Sequence, residues 1–225
     1  QPSENAYEEI QEAFILAEPG DVIRLTSGTY NLQDSLSLDV EGVQVEGEGM
    51  DQTVLNFSNQ QSGAQGLSVT SDNVTLQDFS VQNAKGDAIK VKGVTNIKFL
   101  RVKTEWTNGP SPENGAYGLY PVESTNVLID GCVAIGASDA GIYVGQSKNI
   151  IVRNSRAEFN VAGIEIENSY YADVFNNIAT NNTGGILVFD LPGLPQQGAH
   201  HVRVFNNRSN GNNTDNFAPE GNIIG

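Results

Sequence analysis

The chain has 225 residues, 24 of them glycine, a single cysteine and a formal net charge of −15. The charge leaves no basic footprint for nucleic acid or an anionic membrane, and Cys132 alone supports neither an internal disulfide framework nor a cysteine metal cluster. No run approaches the ~18 apolar residues of a membrane-spanning helix, and no signal peptide is visible; a chain beginning at Gln1 is also what remains once a leader has been removed.

In chain order, Ser3–Glu18 reads as an amphipathic helix. Ser3 is its expected N-cap, acids occupy the first turn, and Tyr7, Ile10, Phe14 and Ala17 form an apolar stripe. Pro19-Gly20 stops it, and "DVIRLTSGTY" reads as the first strand. From there the chain repeats itself. "AIKV", "GLYPV", "GIYV", "GIEI" and "GILV" each open on a small residue, and Gly118, Gly141, Gly163 and Gly185 mark a period of 22 to 23 residues. A second column, "DNVTL", "TNIKF", "TNVLI" and "KNIIV", begins at Asp72, Thr95, Thr125 and Lys148; a third holds Asn154, Asn176 and Asn206. Insertions at 106–117 and 190–200 interrupt the period.

A period near 22 is too short for a βαβ unit, and no segment between repeats shows helical periodicity. Three strands of four or five residues plus three turns fill it. The expected fold is an all-β, single-stranded right-handed parallel β-helix forming one domain over residues 1–225. Its coils lie about 4.8 Å apart, and the helix at 3–18 caps the exposed first edge. Inward positions must then stay apolar in every coil: Ile89/Val91, Leu119/Pro121, Ile142/Val144, Ile164/Ile166, Ile186/Val188. The Asn columns are expected at corners, where Asn tolerates the left-handed conformation. The run "NTDNFAPEGNIIG" stops at Gly225 with no second capping helix, so the native chain is expected to continue or another element to cover that edge.

"AEPGDVIRLTSGTY" resembles the N-terminal segment of secreted right-handed β-helix proteins. "GDAIKVKG", "GASDAGIYVGQS", "NIIVRN", "VAGIEIENS", "ATNNTGGILVFDLPGLP" and "DNFAPEGNI" are similar to a bacterial family of exported parallel β-helix repeat-containing proteins. The resemblance covers nearly the whole chain. It implies the fold and a periplasmic, secreted or outer-membrane-associated location, and it points to an exported, cytochrome-like protein partner. Pectate lyases, polygalacturonases, alginate lyases and alginate epimerases are more distant relatives by fold. The epimerases carry an Asp-Pro-His-Asp or Asp-Pro-His-Glu element, and no such run occurs here: "DNFAPEGN" has no His.

The outward columns are free to vary and hold the candidate chemistry. One reads Lys90, Tyr120, Tyr143, Glu165, Leu187; the next reads Lys92, Val122, Gly145, Glu167, Phe189. Between the two insertions they outline a shallow groove floored by Tyr120, Tyr143, Glu165 and Glu167, with Trp106 opening one wall and Asp190 opening the other. Aromatic faces beside carboxylates suit a polysaccharide, though the tyrosines equally suit a stabilising ladder between strands. Glu165 and Glu167 lie about 6.6–7 Å apart at the backbone, within the range of an acid/base pair in inverting glycoside hydrolysis. They equally suit a solvated acidic face, or Ca²⁺ with Asp139 or Asn168 nearby. These residues make a polysaccharide hydrolase or lyase the expectation if the protein is an enzyme, and a non-catalytic scaffold the alternative. Lys90 and Lys92 stand three coils, about 14 Å, from the glutamates, too far to pair with them but within reach of a long polymer. His200 and His201 are expected on opposite faces of a strand.

Overall fold

A computed structural model describes residues 2–219. Three parallel sheets of eight, eight and seven strands are wound so that each coil crosses sheet 1, then sheet 2, then sheet 3. One coil shows the pattern: Thr125–Asp130 lies in sheet 1, Val133–Ile135 in sheet 2 and Ala140–Gly145 in sheet 3. The strands are six, three and six residues long, not uniformly four or five, because sheet 2 is squeezed between two tight corners. The register is continuous in sheet 3: Leu119 pairs with Ile89 and Ile142, Tyr143 with Glu165, and Ile164 with Ile186.

The inward columns form one apolar core up to Ile166; in the last strand of sheet 3 the expectation fails, since Ile186 is only partly buried and Val188 is 43% exposed, with no further sheet 3 strand stacked on it among the described residues. Ile89, Val91, Leu119, Ile142, Val144, Ile164 and Ile166 are fully buried, stacked on like residues of the adjacent coils. The aligned glycines have a packing cause. A buried Asn ladder runs beside them: the Asn160 amide donates to Ala134 O and Asn182 Oδ1 while its Oδ1 accepts from Ala137 N, and Asn182 repeats the pattern with Asn212. A Cβ at Gly141 would stand 2.6 Å from Asn160 Nδ2, and one at Gly163 would stand 2.9 Å from Asn182 Nδ2. The glycine is the space the ladder needs. The serines that close each sheet 3 strand do related work: Ser147 Oγ accepts from Ser124 N and donates to Gly145 O, and Ser169 Oγ accepts from Ser147 N and donates to Glu167 O.

The exposed Asn column is a row of left-handed corners. Asn73, Asn96, Asn126 and Asn149 have φ of 55–63° and hand amide hydrogen bonds from coil to coil. Asn154, Asn176 and Asn206 form another such corner, as expected. In the first row the two following positions are Tyr171 and His201, at φ 57° and 55°. That conformation breaks the strand alternation, so His200 and His201 do not point to opposite faces. Their Nδ1 atoms lie 2.8 Å apart.

The N-terminal helix spans Ala6–Leu16 and buries Ala6, Ile10 and Phe14 on the core. Its N-cap is Asn5, without a side-chain cap bond, and not Ser3, whose hydroxyl instead donates to Glu9. The helix covers the edge of sheet 3 chemically as well: Gln11 Nε2 donates to Ser37 O and Gln11 Oε1 accepts from Ser37 N, in the edge strand Leu36–Leu38. "DVIRLTSGTY" divides into two strands, Val22–Arg24 in sheet 1 and Gly28–Asn31 in sheet 2, since the bend at Thr26-Ser27 starts the coil. No helix of the described residues is long and apolar enough to cross a membrane. The expectation about the end of the chain at Gly225 lies outside the described residues.

Candidate functional site

The outer face of sheet 3 carries a second apolar cluster separate from the core: Val122, Ala140, Tyr143 and Ala162 are buried, with Tyr117, Tyr120 and Leu187 packed on them. Three tyrosine rings meet there. Tyr117 lies 4.4 Å from Tyr120 and 4.7 Å from Tyr143 by ring centroid, and Tyr120 meets Tyr143 edge-on at 5.0 Å. The absence of a side chain at Gly145 makes room for the Tyr143 phenol, since a Cβ there would clash with its hydroxyl.

Four carboxyl groups surround these rings, and burial governs them. Glu165 is only 4% exposed, though neither of its carboxyl oxygens is both fully buried and without a hydrogen-bond partner. Desolvation first, then the charges of Asp139 and Glu167, raise its pKa to about 8, so it keeps its proton at neutral pH. Glu167, 7% exposed, is also raised, chiefly by burial, with a Tyr143 hydrogen bond opposing. Asp139 is raised by burial against a hydrogen bond from Tyr117, and Asp87 is pushed up to about 6 by burial despite Lys90. The same burial holds the three phenols protonated, Tyr120 at about 12. A neutral carboxyl and phenolic O–H groups beside aromatic faces can donate to hydroxyl oxygens while a ring packs on them.

The structure brings together Tyr120, Tyr143, Glu165 and Glu167. Lys90 joins their edge: its Nζ lies 3.8 Å from Asp87 and 4.8 Å from the Tyr120 ring centroid. Lys92 turns to Glu123 at 3.5 Å. Glu165 and Glu167 do not form a solvated face: they are buried, with Tyr143 and Leu187 paired on either side of Glu165. Trp106 is not a wall: it is 4% exposed, sits in the core cluster and donates Nε1–H to Ala84 O at 2.8 Å. Asp190 holds its own loop, accepting from Gly198 N and Ala199 N. Asn168, weighed as a calcium partner, spends its amide on Leu191 and Gln196 of the same loop. Among the described residues no group of three or more His, Cys, Asp or Glu could hold a metal ion.

Three members escape a reading by alternation. Asp87 and Tyr117 stand two residues before inward Ile89 and Leu119, a spacing that would turn them into the core. They contact Lys90 and Tyr120 three residues on instead, although each is the first residue of its strand, Asp87–Lys92 and Tyr117–Val122. Asp139 precedes its strand altogether. The signal available was the "DA" pair at the start of two of the strands, Asp87-Ala88 and Asp139-Ala140.

Comparison with known proteins gives the fold a family. A search of curated proteins found no match. Among solved structures, pectate lyase Pel9A superposes with a TM-score of 0.60 at 16% identity, covering 89% of this chain and 72% of its own. A protein of Geobacillus virus E2, ORF18, gives 0.57 at 12% identity, with 91% of this chain covered; this chain spans 48% of that protein. The A-module of the Azotobacter vinelandii mannuronan C-5 epimerase AlgE4 gives 0.52 at 17%, covering 92% and 74%. At these identities the likeness is one of fold. Residues 41–193 match the family described as right handed beta helix region, and the chain belongs to that family.

Proposed function

We propose that the protein binds a polysaccharide along the outer face of sheet 3, with the Tyr117/Tyr120/Tyr143 cluster as the platform for one sugar ring and Glu165 as the proton donor beside it. The observation that carries this reading is Glu165 itself: a largely buried acid, paired in register with Tyr143 and Leu187, whose pKa burial and neighbouring carboxylates raise to about 8. Partial burial of an acid costs free energy, and a ligand oxygen that accepts its proton gives the residue a use. Glu167, hydrogen-bonded to Tyr143, is the second carboxyl of a pair suited to hydrolysis if bond cleavage accompanies binding. The fold-level neighbours include a pectate lyase, an alginate lyase from Paenibacillus and a GH87 α-1,3-glucanase in complex with tetrasaccharides, which supports a saccharide as the class of ligand. A location outside the cytoplasm belongs to the same proposal and rests on the likeness of the N-terminal segment to secreted β-helix proteins.

Isothermal titration with neutral and acidic oligosaccharides tests it. Tyr120→Ala, which truncates the half-exposed ring, is expected to weaken binding about ten-fold, and Glu165→Gln, which keeps the shape and one donor, less. Identical heats for wild type and Tyr120→Ala across the panel would rule the site out.

The scaffold alternative also has an observation behind it. On the outer side of sheet 1, Phe175 stacks on Phe205 at 5.0 Å, and Ile151, Tyr171 and Phe205 stand exposed near them. Co-purification that is lost in Phe205→Asp would favour that reading.

A further inference from the structure

Sheet 3 ends at a corner, and beyond that corner lies a cavity of about 420 Å³. Glu123, Gln146 and Lys148 line one side, Ser124 and Thr125 the floor, and Tyr170 with Pro195–Gln197 of the second insertion the far wall. The lining is mostly polar, with hydroxyl, amide, ammonium and carboxylate groups beside Tyr170 and Pro195.

Three features mark it as built. Gln146 Oε1 is buried and has no hydrogen-bond partner, an orphaned acceptor that costs free energy unless something donates to it. Gln146 sits at the corner with φ 51°, and that backbone sets its position. The far wall is clamped in place: Gln196 Nε2 donates to Ser147 O and Asn168 O, Asn168 Nδ2 donates to Gln196 O, and Tyr170 Oη donates to Gln197 O, the last bond very short. Lys148 Nζ lies 5.9 Å from the Tyr170 ring centroid, an ammonium over an aromatic face at the rim.

The cavity follows the tyrosine cluster along the direction of the strands. Gln146 is three residues beyond Tyr143 and donates its backbone N–H to Glu167 O. Glu123, three residues beyond Tyr120, lines the cavity while its charge raises the Tyr120 pKa. A chain lying across the tyrosines and following the strands leaves the sheet here.

We propose that this corner cavity is a second sugar subsite, taking a neutral, hydroxyl-rich pyranose unit whose O–H donates to Gln146 Oε1 while the Tyr170 side of the cavity and the 195–197 wall enclose it. Lys148 and Glu123 bring opposite charges to the rim, so no net charge is required of the ligand. The inference rests on the polysaccharide reading of the tyrosine cluster. It adds that affinity grows with chain length and that the increment depends on the corner.

Chain-length titrations with protein-observed NMR separate the two. The probes are cellotriose and cellohexaose, mannotriose and mannohexaose, and the galacturonate trimer and hexamer. The test variant is Gln146→Met, which removes the acceptor. Gln146→Asn, which withdraws it by one methylene, is a backbone-compatible companion, since Asn168 occupies the next coil's corner at φ 46°. For at least one neutral series, the hexamer should bind more tightly than the trimer and shift the Gln146 side-chain NH₂ resonances. Both variants should lower hexamer affinity about five- to ten-fold, the range of one lost neutral hydrogen bond, and leave trimer affinity unchanged. If trimer and hexamer bind alike, or both variants keep the full length increment, the corner subsite is overturned while the tyrosine site stands. If no probe binds the wild-type protein, the tyrosine site fails and the subsite fails with it.

Discussion

Along Ala162–Glu167 two faces of one strand obey different rules. Inward, Ile164 and Ile166 continue a column of Ile, Leu and Val that scarcely changes from coil to coil. Outward, Glu165 and Glu167 follow Tyr143 and Gly145, which follow Tyr120 and Val122. The inward face stacks on itself, so each coil sets the residue of the next. The outward face has no such constraint, yet near Tyr143 it is just as buried. A buried outer face that does not repeat is evidence of use, because packing alone would have been served by a ladder of like residues.

The contrast can be broken at several points. The largest effect belongs to the core: Ile164→Ala should cost about 2–5 kcal/mol, read from the urea midpoint at unchanged slope. A loss below 1 kcal/mol would mean that the column does not carry the fold. Next comes the buried amide ladder, where Asn160→Ala strands Ala137 N and Ala134 O and should cost about 1–3 kcal/mol. The outer face should show itself through pH. Glu165 holds its proton up to about pH 8 in the folded protein, against an ordinary value of 4.5. Between those limits the folded state binds a proton the unfolded chain has released, so stability falls as pH rises, with a slope of at most about 1.4 kcal/mol per unit. Asp87 adds the same sign between 3.8 and about 6. Glu165→Gln should flatten the profile from pH 6 to 8; an unaltered slope there would show the group ionised and solvated. The smallest effect is that of Trp106→Phe, which removes the bond to Ala84 O and should cost about 1 kcal/mol without changing saccharide affinity.

How far the sequence could be read follows the same division. Coil length, the inward columns and the Asn corners were legible because stacking repeats them. Tyr143 beside Glu165 was legible for the same reason, being a matter of register. Burial on the outer face was not, because alternation says which way a side chain points and nothing of what lies over it. So Glu165 read equally well as a solvated acid, and Trp106 read as a wall although it fills the core. Tyr117, Asp87 and Asp139 were hidden because they stand at, or just before, the first residue of their sheet 3 strands, where alternation did not foretell the side they take, and His201 was misplaced because a left-handed residue there resets the alternation.

The most direct measurement is a crystal structure of the protein with a bound oligosaccharide. A sugar ring lying on Tyr120 and Tyr143, with an oxygen within about 3.2 Å of the Glu165 carboxyl, is the predicted result. A saccharide bound on sheet 1 or sheet 2, with the tyrosine cluster bare, would contradict the account.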